Sequence, residues 1–233
     1  MLSVIVPAHD EAALIGATLD ALQRAAGALR LDHEVIVVDD ASTDATAAIA
    51  AARGARVLRV EHRHIAATRN AGAAAATCDR LLFLDADTLV DATVLAAALA
   101  AMENGAVGGG CSVRLAGRVR WFERAFTAAL MQVFRRVKIA PGCFLFCTRA
   151  AFDAVGGFDQ RWYAGEDVAM SRALAAHGRF VILREAVLTS DRKLRTFRLH
   201  EHLRLLWRFL RGGRGILRSR EVLELWYERR DRG

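Results

Sequence analysis

The chain has 233 residues, 54% hydrophobic and 25% charged, with a formal net charge of +7. That composition excludes a disordered chain, and no run reaches the roughly 18 apolar residues needed to span a bilayer. The charge suits nucleic acid, an anionic membrane surface or a phosphorylated small molecule, but thirteen basic residues against five acids from Arg192 onward put the excess at the C-terminal end.

The apolar, β-branched run Leu2–Val6 predicts a buried strand that stops at Pro7. Glu11–Ala28 carries Leu14, Ile15, Leu19 and Leu22 at helical spacing. A second buried strand is expected over Glu34–Val38, ended by Asp39 and Asp40. Ser42-Thr43-Asp44 offers an N-cap for a helix over Ala45–Arg53. Arg56–Val60 reads as a strand, Ala66–Ala76 as a helix, Arg80–Leu84 as a strand, and Asp91 as the cap of an alanine-rich helix running to Met102. After Gly108-Gly109-Gly110 the pattern predicts an edge-like strand over Cys111–Leu115, a helix over Trp121–Val137, a strand over Cys143–Cys147 and a short helix over Arg149–Val155. A further helix over Asp167–His177 and two short strands, Phe180–Leu183 and Ala186–Leu188, follow. This alternation predicts an α/β fold: one mostly parallel sheet with right-handed crossovers and helices on both faces. The expected organisation is one domain over residues 1–190 and a basic amphipathic helical tail over residues 191–233, broken at Gly212-Gly213 and packed on or near the domain.

Cys78, Cys111, Cys143 and Cys147 form no CxxC pair and read as reduced thiols. The first strand begins almost at Met1, leaving no room for a targeting segment, so a cytoplasmic protein is expected.

Three separated pieces carry the chemistry. Each sets carboxylates after an apolar run or a glycine: Asp39-Asp40 after the second strand, Asp85-Ala86-Asp87 after the fourth, and Glu166-Asp167 after Gly165. In a parallel sheet such acids gather at the carboxyl ends of strands, where α/β folds bind ligands. In extended backbone, residues i and i+2 point the same way, so Asp85 and Asp87 are expected to face one site. Carboxylates there suit Mg²⁺ or Mn²⁺, completed by phosphate oxygens and water. One of Asp39 and Asp40 is expected to cap the next helix. Arg69, in Arg69-Asn70-Ala71-Gly72, is a partner for a phosphate or for Asp85. Gly156-Gly157-Phe158-Asp159 permits a loop against a ligand, and one acid at the helix start after Gly165 could be a general base. His62, His64, His200 and His202 are more readily explained as satisfied or solvent-facing histidines than as metal ligands.

Together these stretches, from Ser3-Val4-Ile5-Val6-Pro7-Ala8-His9-Asp10-Glu11 to about Leu188, resemble family 2 glycosyltransferases of the GT-A fold. Val187–Lys193 is similar to a bacterial branch of that family found beside radical SAM and selenium-related proteins. The resemblance implies inverting transfer of a sugar from a nucleoside diphosphate sugar, UDP- or GDP-linked, to a hydroxyl acceptor. It implies that Pro7, Ala8 and Glu11 line the nucleotide and sugar pocket, that Asp40 contacts the base and that Arg69 lies beside the diphosphate. Asp85 would contact ribose or sugar, with Ala86 in the same cofactor-binding stretch, and Asp87 would coordinate the metal. Asp167 would be the catalytic base, with Glu166 as its rival. Where the family often has a third acid after the DxD element, this chain has Thr88, so coordination rests on Asp87. The QxxRW element of processive synthases is missing.

The tail sets Leu199, Leu203, Leu206, Trp207 and Leu210 on one face among arginines. It could lie on an anionic membrane surface or pack on the domain with a solvated basic face. Two alternatives to a soluble or membrane-peripheral glycosyltransferase are a sugar transferase acting on polyprenyl phosphate and a catalytically silent nucleotide-sugar binder. The acids in the sheet argue against nucleic acid.

Overall fold

A computed structural model describes residues 1–115, 131–162 and 165–190. The tail and its membrane reading, His200, His202 and the 121–130 part of the expected Trp121–Val137 helix lie outside the described residues; residues 131–137 are helical.

The strands are β1 (Leu2–Ala8), β2 (His33–Asp40), β3 (Arg56–Val60), β4 (Arg80–Leu84), β5 (Thr88–Leu89), β6 (Gly108–Leu115), β7 (Phe144–Thr148) and β8 (Phe180–Thr189). They form one sheet in the order β3-β2-β1-β4-β7-β6-β8-β5. The pairs β1–β2, β1–β4, β2–β3 and β6–β8 are parallel, and β4–β7, β6–β7 and β5–β8 are antiparallel. The helices are α1 (Ile15–Ala28), α2 (Thr46–Ala52), α3 (Ile65–Ala75), α4 (Ala92–Glu103), α5 (Arg149–Ala154) and α6 (Glu166–His177).

The central strands read as continuous apolar runs because both faces are covered. Val4, Val6, Val37, Leu82, Leu84, Phe144 and Phe146 enter one core with α1 and α4. The alternate residues Ile5, Ile36, Val38, Leu81, Phe83 and Leu145 enter a second core with α3, α5 and α6. The chain steps outward from β1 through β2 to β3, then returns to the other side of β1 as β4. The order reverses at β1/β4, and the crevice beyond their carboxyl ends is where such a sheet takes ligands.

Three expectations change. The strand after the triple glycine is interior, not an edge: β6 starts at Gly108 and lies between β7 and β8. The glycines are strand residues because space forbids more. A Cβ on Gly109 would stand 2.6 Å from Phe146 Cζ and collide with the Val181 carbonyl. The two short strands at the end are one, β8. Its polar pair Arg184-Glu185 falls where the β6–β8 register shifts between Gly110 and Ser112, so the ladder bulges there and then resumes. Finally, the residue flanking α2 is Ala45, and the expected segment satisfies the helix start from one position further out, with Asp44 Oδ1 accepting from Thr46 N–H at 2.9 Å. The same segment also clamps the β1–α1 loop, with Asp10 N–H donating to Ser42 Oγ at 3.0 Å, Thr43 N–H to Asp10 Oδ1 at 2.7 Å and Ala12 N–H to Asp44 Oδ2 at 3.1 Å. Asp91 caps α4 as expected, accepting from Val94 N–H at 2.9 Å. The four cysteines are free thiols. Among the described residues no helix is long and apolar enough to cross a membrane.

Gly109→Ala is expected to destabilise the fold by about 1–3 kcal/mol, the usual cost of overpacking. A urea melt checks this; an unchanged midpoint would contradict the tight β6–β7–β8 packing.

Candidate active site

Arg69 sits on the buried face of α3, whose first turn is fixed by His64: its Nδ1 accepts from Ala67 N–H at 3.4 Å. The arginine side chain is 3% exposed. Its Nη1 donates to Glu166 Oε1 at 2.8 Å, and its Nη2 donates to Asp85 Oδ1 and to the Gly142 carbonyl, each at 2.9 Å. The Phe158 ring lies 5.3 Å from the guanidinium carbon. Burial works against the charge, but Asp85, Glu166 and Asp167 outweigh it and raise the arginine's proton affinity. A planar fork reaches all these acceptors at once; an ammonium would not. Of the two expected partners, a phosphate or Asp85, the structure shows Asp85, and both Nη groups are hydrogen-bonded within the protein.

Glu166 and Asp167 open α6 after Gly165, whose φ of 75° suits glycine. They are neighbours with different surroundings. Glu166 is buried and ion-paired with Arg69. Asp167 accepts from Val168 N–H at 2.8 Å and lies against Gly142, where a Cβ would stand 2.9 Å from its Oδ2. Burial, then the charge of Glu166, push Asp167 up to about 6, against the pull of Arg69 and the Val168 N–H. A carboxylate held there is suited to accept a proton near neutral pH.

The DxD element is not extended. Asp85 N–H donates to the Cys143 carbonyl at 3.1 Å, and Thr88 N–H closes a turn on the Asp85 carbonyl at 3.1 Å. The buried Ala86 is tied to α1 through Thr18 Oγ1, which donates to its carbonyl at 2.8 Å. The two carboxylates therefore have separate partners: Asp85 meets Arg69, while Asp87 Oδ1 lies 3.4 Å from both Thr88 Oγ1 and Thr189 Oγ1. They still share one end of the sheet, since both bear on the Cys143 thiol, which burial first and then Asp85 push upward. Among the described residues no three His, Cys, Asp or Glu side chains form a metal-holding group. The donor set at Asp87 is a carboxylate flanked by hydroxyls, beside a thiol kept neutral. That chemistry fits a hard cation which takes the rest of its shell from phosphate and water.

The β1 and β2 ends are arranged differently from expectation. Asp40 is buried and accepts from Arg63 N–H at 2.8 Å, His64 N–H at 3.2 Å and Thr68 Oγ1 at 2.7 Å. Its carboxylate fixes the start of α3. Asp39, paired in register with Arg59, lines a cavity of about 300 Å³ with Ser42, Asp44, Arg59 and Glu61. Pro7 and Ala8 are buried at the end of β1 and do not line that cavity. Glu11 carries the first turn before α1: its carbonyl accepts from Leu14 and Ile15 N–H, and its own N–H donates to Thr46 Oγ1 at 2.8 Å. Strand alternation was the overlooked signal, because consecutive aspartates on a strand point to opposite faces.

Gly156-Gly157-Phe158-Asp159 is fastened to the site by Asn70. Its Nδ2 donates to the Phe158 carbonyl at 2.8 Å, and Phe158 N–H donates to its Oδ1 at 2.9 Å. Asp159 is held by hydrogen bonds from Arg161, which lower it to about 2, and by Trp162. This loop and α6 border a second cavity of about 620 Å³. Gly142, at the centre of the arrangement, carried no motif in the sequence, and Thr189 drew notice only as part of Val187–Lys193.

Residues 3–156 match the family described as Glycosyl transferase family 2. The chain is similar to validoxylamine A glucosyltransferase of Streptomyces hygroscopicus subsp. jinggangensis (strain 5008), 30% identical over 76% of this chain and 52% of that protein. It spans about half the length of the curated relatives it matches. Its fold is shared with the mannosyltransferase PcManGT from Pyrobaculum calidifontis, solved with GDP-Man and Mn²⁺, at 21% identity and a TM-score of 0.69 over 96% of this chain and 64% of that one. S. aureus TarS 1–349, solved with UDP-GlcNAc, has the same fold at 20% identity and a TM-score of 0.66 over 81% of this chain and 58% of that one.

Arg69→Met strips the cation from Asp85 and Glu166. The expected loss is about 3–5 kcal/mol, the cost of breaking a buried ion pair from one side. For a domain of this size that lowers the melting midpoint by roughly 10 °C. A loss below about 1 kcal/mol would show that these carboxylates do not depend on the guanidinium.

Proposed function

The chain belongs to glycosyl transferase family 2, and on that premise we propose that it transfers a sugar, with inversion, from a nucleoside diphosphate sugar to an acceptor hydroxyl. The observation that carries this reading is Asp167: a carboxylate pushed up to about 6 at the N-terminus of α6, beside the Arg69–Asp85–Glu166 cluster at the sheet's carboxyl edge. In this reading Asp167 takes the proton as the acceptor oxygen attacks the anomeric carbon opposite the leaving diphosphate, and it later releases that proton to water. We assign the base to Asp167 over Glu166 because Arg69 holds Glu166 as an ion pair. Asp85, fixed by the same guanidinium, contacts ribose or sugar. The cavity lined by Asp39 and Arg59 takes the base, and the buried β1 end stands next to it through the Ala8–Asp39 pairing.

Asp87 would hold Mg²⁺ or Mn²⁺, which when bound supplies counter-charge to the departing diphosphate. Support for a UDP- or GDP-linked donor comes from the fold relatives solved with UDP-GlcNAc or with GDP-Man and Mn²⁺. The free thiols suit a reducing compartment, and we assign the reaction to the cytoplasm. The bacterial branch suggested by Val187–Lys193 is supported by that segment alone.

A thermal-shift panel of UDP, GDP, CDP and dTDP, each with Mn²⁺ or EDTA, tests donor and metal together. One nucleotide at a hundredfold excess over its Kd is expected to raise the midpoint by roughly 5–10 °C, with the rise lost in EDTA and in Asp87→Ala. No rise with any nucleotide would sink the donor-site reading.

Asp167→Asn is expected to keep nucleotide binding and lower kcat by about 10²–10⁴. Only the carboxylate form accepts a proton, so wild-type kcat/KM should be flat above about 6 and fall as pH drops through it. The raised value also means that the charged form is disfavoured in the folded state. Asp167 therefore takes stability away as pH rises through about 6. Asp167→Asn should accordingly melt higher than wild type at pH 8. Full activity in this variant would leave a nucleotide-sugar binder in which Asp167 is not the base.

A further inference from the structure

Arg135 is a cation that the described residues leave without a counter-charge. It lies in the helix over residues 131–137, where Arg136 and the following Lys138 are exposed while Arg135 is half-buried and reaches the sheet. Its Nη2 donates to Ser112 Oγ at 2.7 Å. Ser112 is 7% exposed and donates in turn to the Leu183 carbonyl at 3.0 Å, so its hydroxyl is fixed by β8 and its one proton is in use. The Arg135 Nε is buried and has no hydrogen-bond partner. Among the described residues no carboxylate forms an ion pair with this guanidinium, Glu185 on the neighbouring β8 bulge included.

A bland reading makes Arg135 one more surface arginine lying along the protein. Such a side chain lifts its head to water; this one sinks its Nε and gives an Nη to a neutral hydroxyl. A buried donor left unpaired costs about 1–3 kcal/mol, more for a charged group. A built arrangement of that kind calls for an explanation, and a ligand that brings negative charge is one. The guanidinium fork offers paired N–H groups that match the paired oxygens of a phosphate or a carboxylate.

The place of Arg135 says which ligand. β6 is antiparallel to β7, so the end of β6 that carries Ser112 lies at the edge where β7 begins, beside Gly142 and Cys143. Cys111 enters the core on the α1 and α4 face, so Ser112 faces the other way, toward the side of α3 and α6. After the helix the chain crosses β6 on that side. Ala140 packs in the core with Met170 and Leu174 of α6, its N–H donates to Ser171 Oγ at 3.0 Å, and two residues on Gly142 lies against Asp167. Arg135 and the candidate base thus stand at the two ends of one short connection. The DxD turn is instead tied to α1, which covers the opposite face. A molecule whose hydroxyl reaches Asp167 therefore has Arg135 on its own side of the sheet, away from the donor diphosphate at Asp87.

Resting on the reading of the site given above, we propose that Arg135 recognises an oxyanion, phosphate or carboxylate, on the acceptor, and that Ser112 positions its guanidinium. The acceptor is then an anionic hydroxyl compound, and Arg135 sets its affinity while Asp167 takes its proton.

The probes are glycerol 3-phosphate, glycerate and glycerol, which share hydroxyls and differ in charge. Saturation-transfer NMR reads their binding to the full chain as wild type, Arg135→Gln, Arg135→Lys and Ser112→Ala, alone and with UDP or GDP plus Mn²⁺, and a thermal melt of each variant checks its fold. At least one anionic probe is expected to bind wild type, glycerol is not, and nucleotide should leave the anion bound. Its Kd should rise about 10–100-fold in Arg135→Gln, less in Arg135→Lys, and a few-fold in Ser112→Ala, which keeps the charge and loses its anchor. Whichever anion binds tells phosphate from carboxylate. The inference falls if Arg135→Gln binds the anion like wild type, if nucleotide displaces it, or if neither anionic probe binds wild type; a melting midpoint of wild type raised by UDP or GDP would then show that the donor reading survives it. If the anion binds through Arg135 but no nucleotide raises that midpoint, the glycosyl-transfer reading fails and the assignment of the anion to an acceptor goes with it.

Discussion

A guanidinium with 3% of its side chain exposed must find its counter-charges inside the protein, and the active edge of this sheet is organised around that demand. Arg69 draws Asp85 from the end of β4, Glu166 from the start of α6 and the Gly142 carbonyl from the loop before β7. Those segments are far apart in sequence and belong to both halves of the sheet, the parallel strands and the antiparallel ones beyond β4. One side chain therefore joins the part that follows nucleotide-binding topology to the part that supplies the candidate base. Buried ion pairs seldom repay their desolvation against an apolar replacement, so stability alone is a weak reason for the cluster. Precise placement of three carboxylates is the better reason.

The next residue extends the junction. Asn70 grips the Phe158 backbone by both its amide groups, and Phe158 packs under the Arg69 guanidinium and against Phe83 of the second core. The glycine-rich loop is thus positioned from α3, and the hydrophobic core reaches the charged cluster through an aromatic edge contact. On the other side of the crevice the β1–α1 and β2–α2 loops are laced by Asp10, Ser42, Thr43 and Asp44. Asp10 and Ala41 there have positive φ, as does Arg63 before α3. Non-glycine residues in that conformation are costly, and these three lie at the carboxyl edge where the loops bind one another.

Much of this was legible in the residues. The apolar runs that become β1, β2 and β4 are long enough and buried on both faces, so their order and type follow from composition. The acids after them are correctly placed at one edge, because a parallel sheet leaves no alternative. What the sequence hid was local geometry. Asp85-Ala86-Asp87 looks extended because it follows a strand, but the Thr88 N–H returns to the Asp85 carbonyl and makes it a turn. Asp39 and Asp40 look equivalent until alternation sends one to a cavity and the other to the start of α3. Gly108-Gly109-Gly110 looks like a loop because glycine usually marks one; its cause here is backbone and Phe146 pressing from both sides, which no single-sequence pattern announces. The place of Thr189 beside Thr88 is hidden for the same reason: it comes from a two-residue strand pairing at a separation of about a hundred residues.

The adjacent acids Glu166 and Asp167 show how geometry divides labour between residues that composition cannot tell apart. Successive positions on a helix are about 100° apart, so a pair at the first turn must face different neighbours. Glu166 turns to the buried guanidinium and becomes a fixed anion in an ion pair. Asp167 turns to Gly142, a position without a side chain, and its remaining oxygen faces space that a methyl group would fill. The ion pair beside it acts in two directions: the Glu166 charge raises Asp167, while the Arg69 charge lowers it. Their balance, on top of burial, leaves a carboxyl that titrates close to neutral pH without a hydrophobic pocket of its own. A proton acceptor at this place thus requires three things together: an arginine that keeps the first acid charged, a glycine that leaves room beside the second, and a helix start that separates the two.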